Sequence, residues 1–208
     1  SGRLWLVAGL VILWSLRLGG HIAHRSKGAA EDPRYAALAL EWGPDFPRRL
    51  FQFLQIQAVC GFVLAVAIGL AGTNPAPFPT FFDLLAIIVA LIALAGEALA
   101  DAQLRRFRRE NRGRKAVCDT GLWAWSRHPN YFFEWLFWCA IALLAVNFSG
   151  NHIWGWLALA APLLMYWLLV YASGIPPLEK SMLESRGDAF RDYQARVNAF
   201  FPGPRRGA

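Results

Sequence analysis

Four ionisable residues, Arg17, Glu97, Asp101 and Glu134, lie where lipid should be. Glu97, Asp101, Arg105 and Arg108 are spaced 4, 4 and 3 apart within and just beyond an apolar run. On a helix turning about 100° per residue they share one face. The stripe is acidic first and basic after. Ionisable groups at membrane depth cost about 2.5–3.5 kcal/mol each on insertion scales, and such groups are functional candidates. Ordinary flanking charge explains the arginines but not Glu97, a turn deeper. A second constellation is Ser126-Arg-His-Pro-Asn-Tyr131 with Glu134. Pro129 suits a first helical position, because its missing N–H would be unpaired there anyway. The amides of Asn130 and Tyr131, beside Arg127 and His128, then form an anion site suited to phosphate. Asn130 and Glu134, four apart, share a face. The competing reading is a capped interfacial helix with an aromatic belt, which accounts for Trp123, Trp125, Tyr131, Phe132 and Phe133. Arg17 and His21 form a third i,i+4 pair. His21 could donate a proton near neutral pH, while Arg17 could simply snorkel. Glu179 follows Pro176-Pro177-Leu178 and favours a helix N-terminus. No metal-ligand spacing, P-loop or GxGxxG is present. A bound nucleotide would therefore sit outside a Rossmann fold.

The elements that must position these groups are transmembrane helices. The 208-residue chain is 56% hydrophobic and only 17% charged, with Trp 10 and Phe 15; its mean hydropathy is +0.33. Soluble domains carry about 25% charged residues. Disorder is excluded by the apolar content. A disulfide scaffold is excluded by three cysteines, few and odd. The net charge of +7 shares the chain with long apolar runs, so nucleic acid is not the expected partner. Five runs are long enough to cross a bilayer: about 4–20, 50–71, 80–101, 131–146 and 153–172. They are continuously apolar, not alternating, which predicts helices and not barrel strands. The expectation is an all-α membrane bundle forming one domain, 1–208, with amphipathic helices in a tail, 176–208, broken near Gly187. Leu178, Met182, Leu183, Phe190, Tyr193 and Phe200 are expected on its membrane face.

Loop charge alternates. Arg25, Lys27, Arg34, Arg48 and Arg49 lie between the first two spans. Arg105, Arg106, Arg108, Arg109, Arg112, Arg114, Lys115 and Arg127 lie between the third and fourth, and the tail is basic. The other two loops, 73–79 and 148–152, hold no Lys or Arg. The positive-inside rule then places the basic loops and the C-terminus in the cytoplasm, with a bacterial inner membrane as the expected location. The chain opens on Ser1-Gly2-Arg3, and spans before the first are expected to be missing.

The run Asp101-Ala-Gln-Leu-Arg-Arg-Phe-Arg108, then Asp119-Thr-Gly-Leu-Trp, then Ser126-Arg-His-Pro-Asn-Tyr131 with Glu134 resembles the C-terminal membrane domain of the steroid 5-alpha-reductase family. The closest likeness is to its bacterial branch, long classed as a domain of unknown function. Gly174-Ile-Pro-Pro-Leu-Glu-Lys, Tyr193 and Phe200-Phe-Pro202 fit the same pattern. The resemblance implies a reductase that uses NADPH to reduce a C=C bond conjugated to a ketone in a lipophilic, steroid-like substrate. It implies Asp101 at the adenosine, Arg105 and Arg108 at the phosphates, and Asn130 and Glu134 at the pyrophosphate and nicotinamide side. His21 falls about where the family's carbonyl-polarising tyrosine would be. The expected cofactor set is Arg17, Asp101, Arg105, Arg108, Lys115, Arg127, His128, Asn130, Glu134 and Glu179, and the expected catalytic pair is His21 and Glu134. Membrane lipid is the other expected contact, and no protein partner is implied. More distantly, the sequence resembles the isoprenylcysteine carboxyl methyltransferases, which makes methyl transfer from S-adenosylmethionine the alternative. A scaffold binding anionic lipid through its basic loop is a third reading, and it leaves Glu97, Asp101 and Glu134 unexplained.

Overall fold

The apolar runs form helices because a backbone in lipid must satisfy its own hydrogen bonds. The computed structural model describes residues 1–26 and 33–206, and the side chains outside 24–37. Arg25, Lys27 and Arg34, cited above for the first basic loop, lie outside the described side chains. In chain order the helices are α1 (Gly2–Ser26), α2 (Pro33–Trp42), α3 (Phe46–Gly72), α4 (Phe81–Glu110), α5 (Pro129–Ala145), α6 (Ala160–Trp167), α7 (Ile175–Arg186) and α8 (Asp188–Arg196). Four stretches are long and apolar enough to cross a membrane, and α5 is a shorter apolar helix. The protein is an all-helical membrane bundle, roughly as the five apolar runs predict.

α5 is the central helix. Phe137, Trp138, Ala140, Ile141, Leu144 and Ala145 are all buried. α4 lies closely along it through a row of small residues, Ala86, Ala90, Ala93 and Ala100, each fully buried. Small side chains let helix backbones approach where lipid gives no hydrophobic drive to associate. Gly96 serves the same end, since a Cβ there would overlap the Phe133 ring. Outward-facing residues such as Trp5, Phe62 and Leu163 are exposed, as lipid contact requires.

Each end of α4 has its own device. Thr80 and Asp83 form a reciprocal capping box at its start. Thirty residues span about 45 Å, against about 30 Å of hydrocarbon. The last three turns therefore project beyond the apolar slab and carry Arg105 and Arg108 with them. At the opposite end the two arginine-free loops meet. Arg3 donates through Nε and Nη2 to both oxygens of Asp83, at 2.7 Å each. It also bonds the carbonyls of Asn74, Ala76 and Pro77. Asn147 donates to Asn74 Oδ1 at 3.2 Å. Arg3 and Asp83 are fully buried, so this knot ties the start of α1 to the turn before α4.

Two segments depart from the sequence expectation. The last apolar run begins as a 3-10 turn, Ile153–Leu159, and ends in a π turn, Leu168–Ala172. Gly155 abuts the Ala145 carbonyl and His152, and Gly174 abuts the Leu169 backbone. These close approaches distort a helix that hydropathy alone reads as regular. The tail breaks at Gly187 (φ +57°) as expected. Its apolar face turns inward instead of lying on the bilayer. Phe190, Tyr193 and Val197 are buried against Val117, Met182 and Leu183. Arg127 N donates to Asn198 O, Ser126 Oγ to Phe200 O and Gly203 N to Trp125 O. The tail is thus a floor woven into the loop before α5.

Candidate functional site

Where α1, α4 and α5 meet the floor, a cavity of about 500 Å³ opens, within the range of small-molecule sites. It runs from Glu134 inside the bundle to Arg105 and Arg108 at the projecting end of α4. The stripe that spacing places on one face of α4 lines it along its length.

The inner end is crowded with acid. Arg17 Nη2 lies 2.7 Å from Glu97 and 3.4 Å from Glu134, and its Nη1 lies 3.7 Å from Asp101. Glu97 and Glu134 thus share the same guanidinium nitrogen. Glu134 also accepts Trp14 Nε1 on both oxygens (3.1 and 2.9 Å) and Trp138 Nε1 at 3.0 Å. Asp101 receives His21 Nδ1 at 3.1 Å and Asn130 Nδ2 at 3.5 Å. Arg17 Nε is buried with no acceptor among the described residues. Three carboxyls thus converge on one guanidinium, and one of them, Asp101, also meets an imidazole. Two like charges about 6 Å apart repel by about 3 kcal/mol at an effective dielectric of about 20, so the cluster depends on Arg17.

The middle of the wall is a second polar knot. Arg127 donates to Glu179 from Nε (2.7 Å) and Nη2 (3.2 Å), and from Nη1 to the carbonyls of Gln194 and Val197. His128 Nε2 lies 2.9 Å from Glu179, and its ring stacks on Tyr131. Gln194 Nε2 donates to Glu179 at 2.6 Å. Burial pushes the His128 pKa below its ordinary value, and the Glu179 hydrogen bond pulls it partly back. The neutral ring then donates from Nε2. Glu179 holds α5, α7 and α8 together. We expect Glu179→Ala to cost about 3 kcal/mol, because it leaves the Arg127 charge unpaired. The checks are a lowered melting temperature in detergent and faster proteolysis of the tail. An unchanged melt would show that the knot contributes nothing.

At the mouth, Arg105, Arg108 and Arg186 line the opening. Arg186 Nε also bonds Ala116 O at 3.0 Å. Cys118 lines the wall as well, but burial raises its thiol pKa, which argues against reactivity.

Nine of the residues chosen from sequence therefore line one cavity: Arg17, His21, Asp101, Arg105, Arg108, Arg127, His128, Asn130 and Glu134. Lys115 is exposed outside the lining, and Glu179 stands behind Arg127 and His128. Glu97, which the stripe marks but the resemblance gives no role, lines the cavity too, and Trp14 and Trp138 carry no sequence expectation. Trp138 stands one turn after Glu134, which is a legible signal. Trp14 reaches Glu134 from another helix, which no local spacing reveals.

The family model for DUF1295, a protein of unknown function, matches residues 1–197. The chain belongs to the DUF1295 family. An uncharacterized protein of the fission yeast Schizosaccharomyces pombe, C594.04c, is 28% identical over 235 residues. That alignment covers 97% of this chain and 64% of the yeast protein, so the DUF1295 chain spans under two thirds of its relative's length. No solved structure matches the chain.

Proposed function

We propose that this DUF1295 protein is a membrane-embedded reductase. In this reading it uses NADPH to saturate a C=C bond conjugated to a ketone in a lipophilic, steroid-like molecule. We also place its arginine-rich end in the cytoplasm of a bacterial inner membrane, on the alternation of loop charge. One observation carries the reading. A single cavity joins an imidazole held on a carboxyl, His21 on Asp101, to a cationic mouth formed by Arg105, Arg108 and Arg186.

The donor set fits a phosphorylated dinucleotide. Guanidinium forks suit phosphate oxygens, and Asn130 and Tyr131 of the first turn of α5 line the same cavity. Arg105, Arg108 and Arg186 would hold the phosphates. Asn130 and Asp101 would hold polar edges further in. The cofactor supplies hydride, and the protein supplies orientation, dryness and a proton. His21 bonds Asp101 through Nδ1, which sets Nε2 on the opposite edge of the ring. There it can hydrogen-bond the ketone oxygen as enolate charge develops. The apolar side chains of Leu18, Ile22, Leu169 and Leu178 on the same cavity suit a sterol-like skeleton.

The acid cluster favours a second reading, because a sulfonium and its ammonium would also suit carboxylates. Methyl transfer from S-adenosylmethionine leaves the arginine mouth without a role. One binding assay in detergent separates the two, comparing NADPH, NADH and S-adenosylmethionine. We expect NADPH to bind about tenfold more tightly than NADH, one ion pair's worth of free energy. Asp101→Ala and Asn130→Ala should each weaken it. Equal weak affinity for both nucleotides, or tighter binding of S-adenosylmethionine, refutes the reductase.

A further inference from the structure

We propose that Glu97 is the acid that protonates the α-carbon of the substrate, keeping its proton against the Glu134 carboxylate until reduction occurs. The delivery step rests on the reductase reading; the stored proton does not.

The argument starts from which acceptors are already occupied. Glu134 takes N–H bonds from Trp14, Trp138 and Arg17, all suited to an anion. Asp101 takes His21 and Asn130. Glu97 meets Arg17 Nη2, the nitrogen that Glu134 also faces. Two carboxyls sharing a site do not both ionise readily, and here Glu134 is the one surrounded by donors. α1 brings Arg17 and His21, α4 brings Asp101 and, further out, Arg105 and Arg108, and α5 brings Asn130; the loop before α5 brings Arg127 and His128, which Glu179 holds, α7 brings Arg186 at the mouth, and α8 brings the buried Tyr193. One permanent cation therefore faces three acids. A proton on Glu97 removes one of the excess negative charges. Both glutamates line the cavity, so a substrate carbon placed at its inner end meets an acid there.

The step balances as follows. The β-carbon gains a hydride, with both electrons coming from the dihydronicotinamide. The π pair of the C=C moves toward the α-carbon and the ketone oxygen, which His21 hydrogen-bonds. The O–H bond of Glu97 breaks, and its proton forms the α C–H bond. Glu97 is left as a carboxylate beside Glu134. It recovers a proton from water through His21, whose side chain is 32% exposed and reaches Asp101.

Infrared spectroscopy of the full chain in lipid nanodiscs, without cofactor, tests the store. At neutral pH a protonated-carboxyl C=O band should appear and move on exchange into D2O. Glu97→Gln should remove it, and Asp101→Asn should keep it. Glu97→Gln should also slow enone reduction by about 100-fold or more while changing the NADPH Kd by less than about threefold. Absence of the band in the wild type, or its survival in Glu97→Gln, overturns the proposal. Should Glu97→Gln fail to fold, Glu134→Gln replaces it. The band must then shift because its partner has changed, and an unshifted band is equally fatal. A band that behaves as expected in a protein that reduces nothing with NADPH leaves the store standing and refutes delivery along with the reductase reading.

Discussion

Arg17→Ala should melt far below the wild-type bundle. The guanidinium is the shared partner of Glu97, Glu134 and Asp101, with its side chain only 15% exposed. Removing one partner of a buried ion pair costs about 3–5 kcal/mol, because the remaining charge is left uncompensated. Here the residue left behind is a cluster of acids, so the upper part of that range applies. The mechanism makes a further demand. If the cost is acid–acid repulsion, removing one acid must return part of it. Arg17→Ala combined with Glu97→Gln should therefore be more stable than Arg17→Ala alone, a coupling that a double-mutant cycle reads directly. Arg17→Lys should fall between, since it keeps the charge and loses the fork that reaches two carboxyls at once. Thermal unfolding in detergent, followed by helical circular dichroism, measures all three. Purely additive losses would mean that Arg17 contributes packing alone.

The same cluster shows what a linear chain discloses. The stripe Glu97, Asp101, Arg105, Arg108 was legible because it lies on one helix, where spacing is geometry. The helix start at Pro129 and the break at Gly187 were legible for the same reason, being local backbone chemistry. The choice of partner was not. Asp101 has Arg105 one turn away, the pairing that spacing suggests, yet it sits against Arg17 and His21 of α1. That choice depends on how α1 is rotated and how deeply it is seated, which α3, α4 and α5 decide together. Glu179 is a parallel case. Its position marks a helix start, but its role is set by Arg127, His128 and Gln194 arriving from elsewhere. The tail departs from its amphipathic pattern for a related reason. An amphipathic helix advertises an apolar face, and only the presence of Val117 and the loop before α5 determines whether protein or lipid covers it.

His21→Phe should separate chemistry from binding. A positioned general acid contributes about 10²–10⁴ in rate, so turnover of an enone with NADPH should fall by that factor. The NADPH Kd should hold, because the arginines at the mouth are untouched. Phenylalanine keeps a planar ring of similar size beside Leu18 and Ile22 but offers no N–H to the ketone. His21→Gln restores an N–H donor without the imidazole and should recover part of the loss. Asp101→Ala is the informative contrast. Asp101 both orients His21 and lines the inner cavity, so its removal should lower kcat and weaken NADPH together. A histidine that merely sits at the interface predicts the opposite pattern, with His21→Phe silent and Asp101→Ala altering affinity alone. Wild-type turnover in His21→Phe would leave Glu97 as the sole candidate acid in the cavity and would require the ketone oxygen to be polarised by another group.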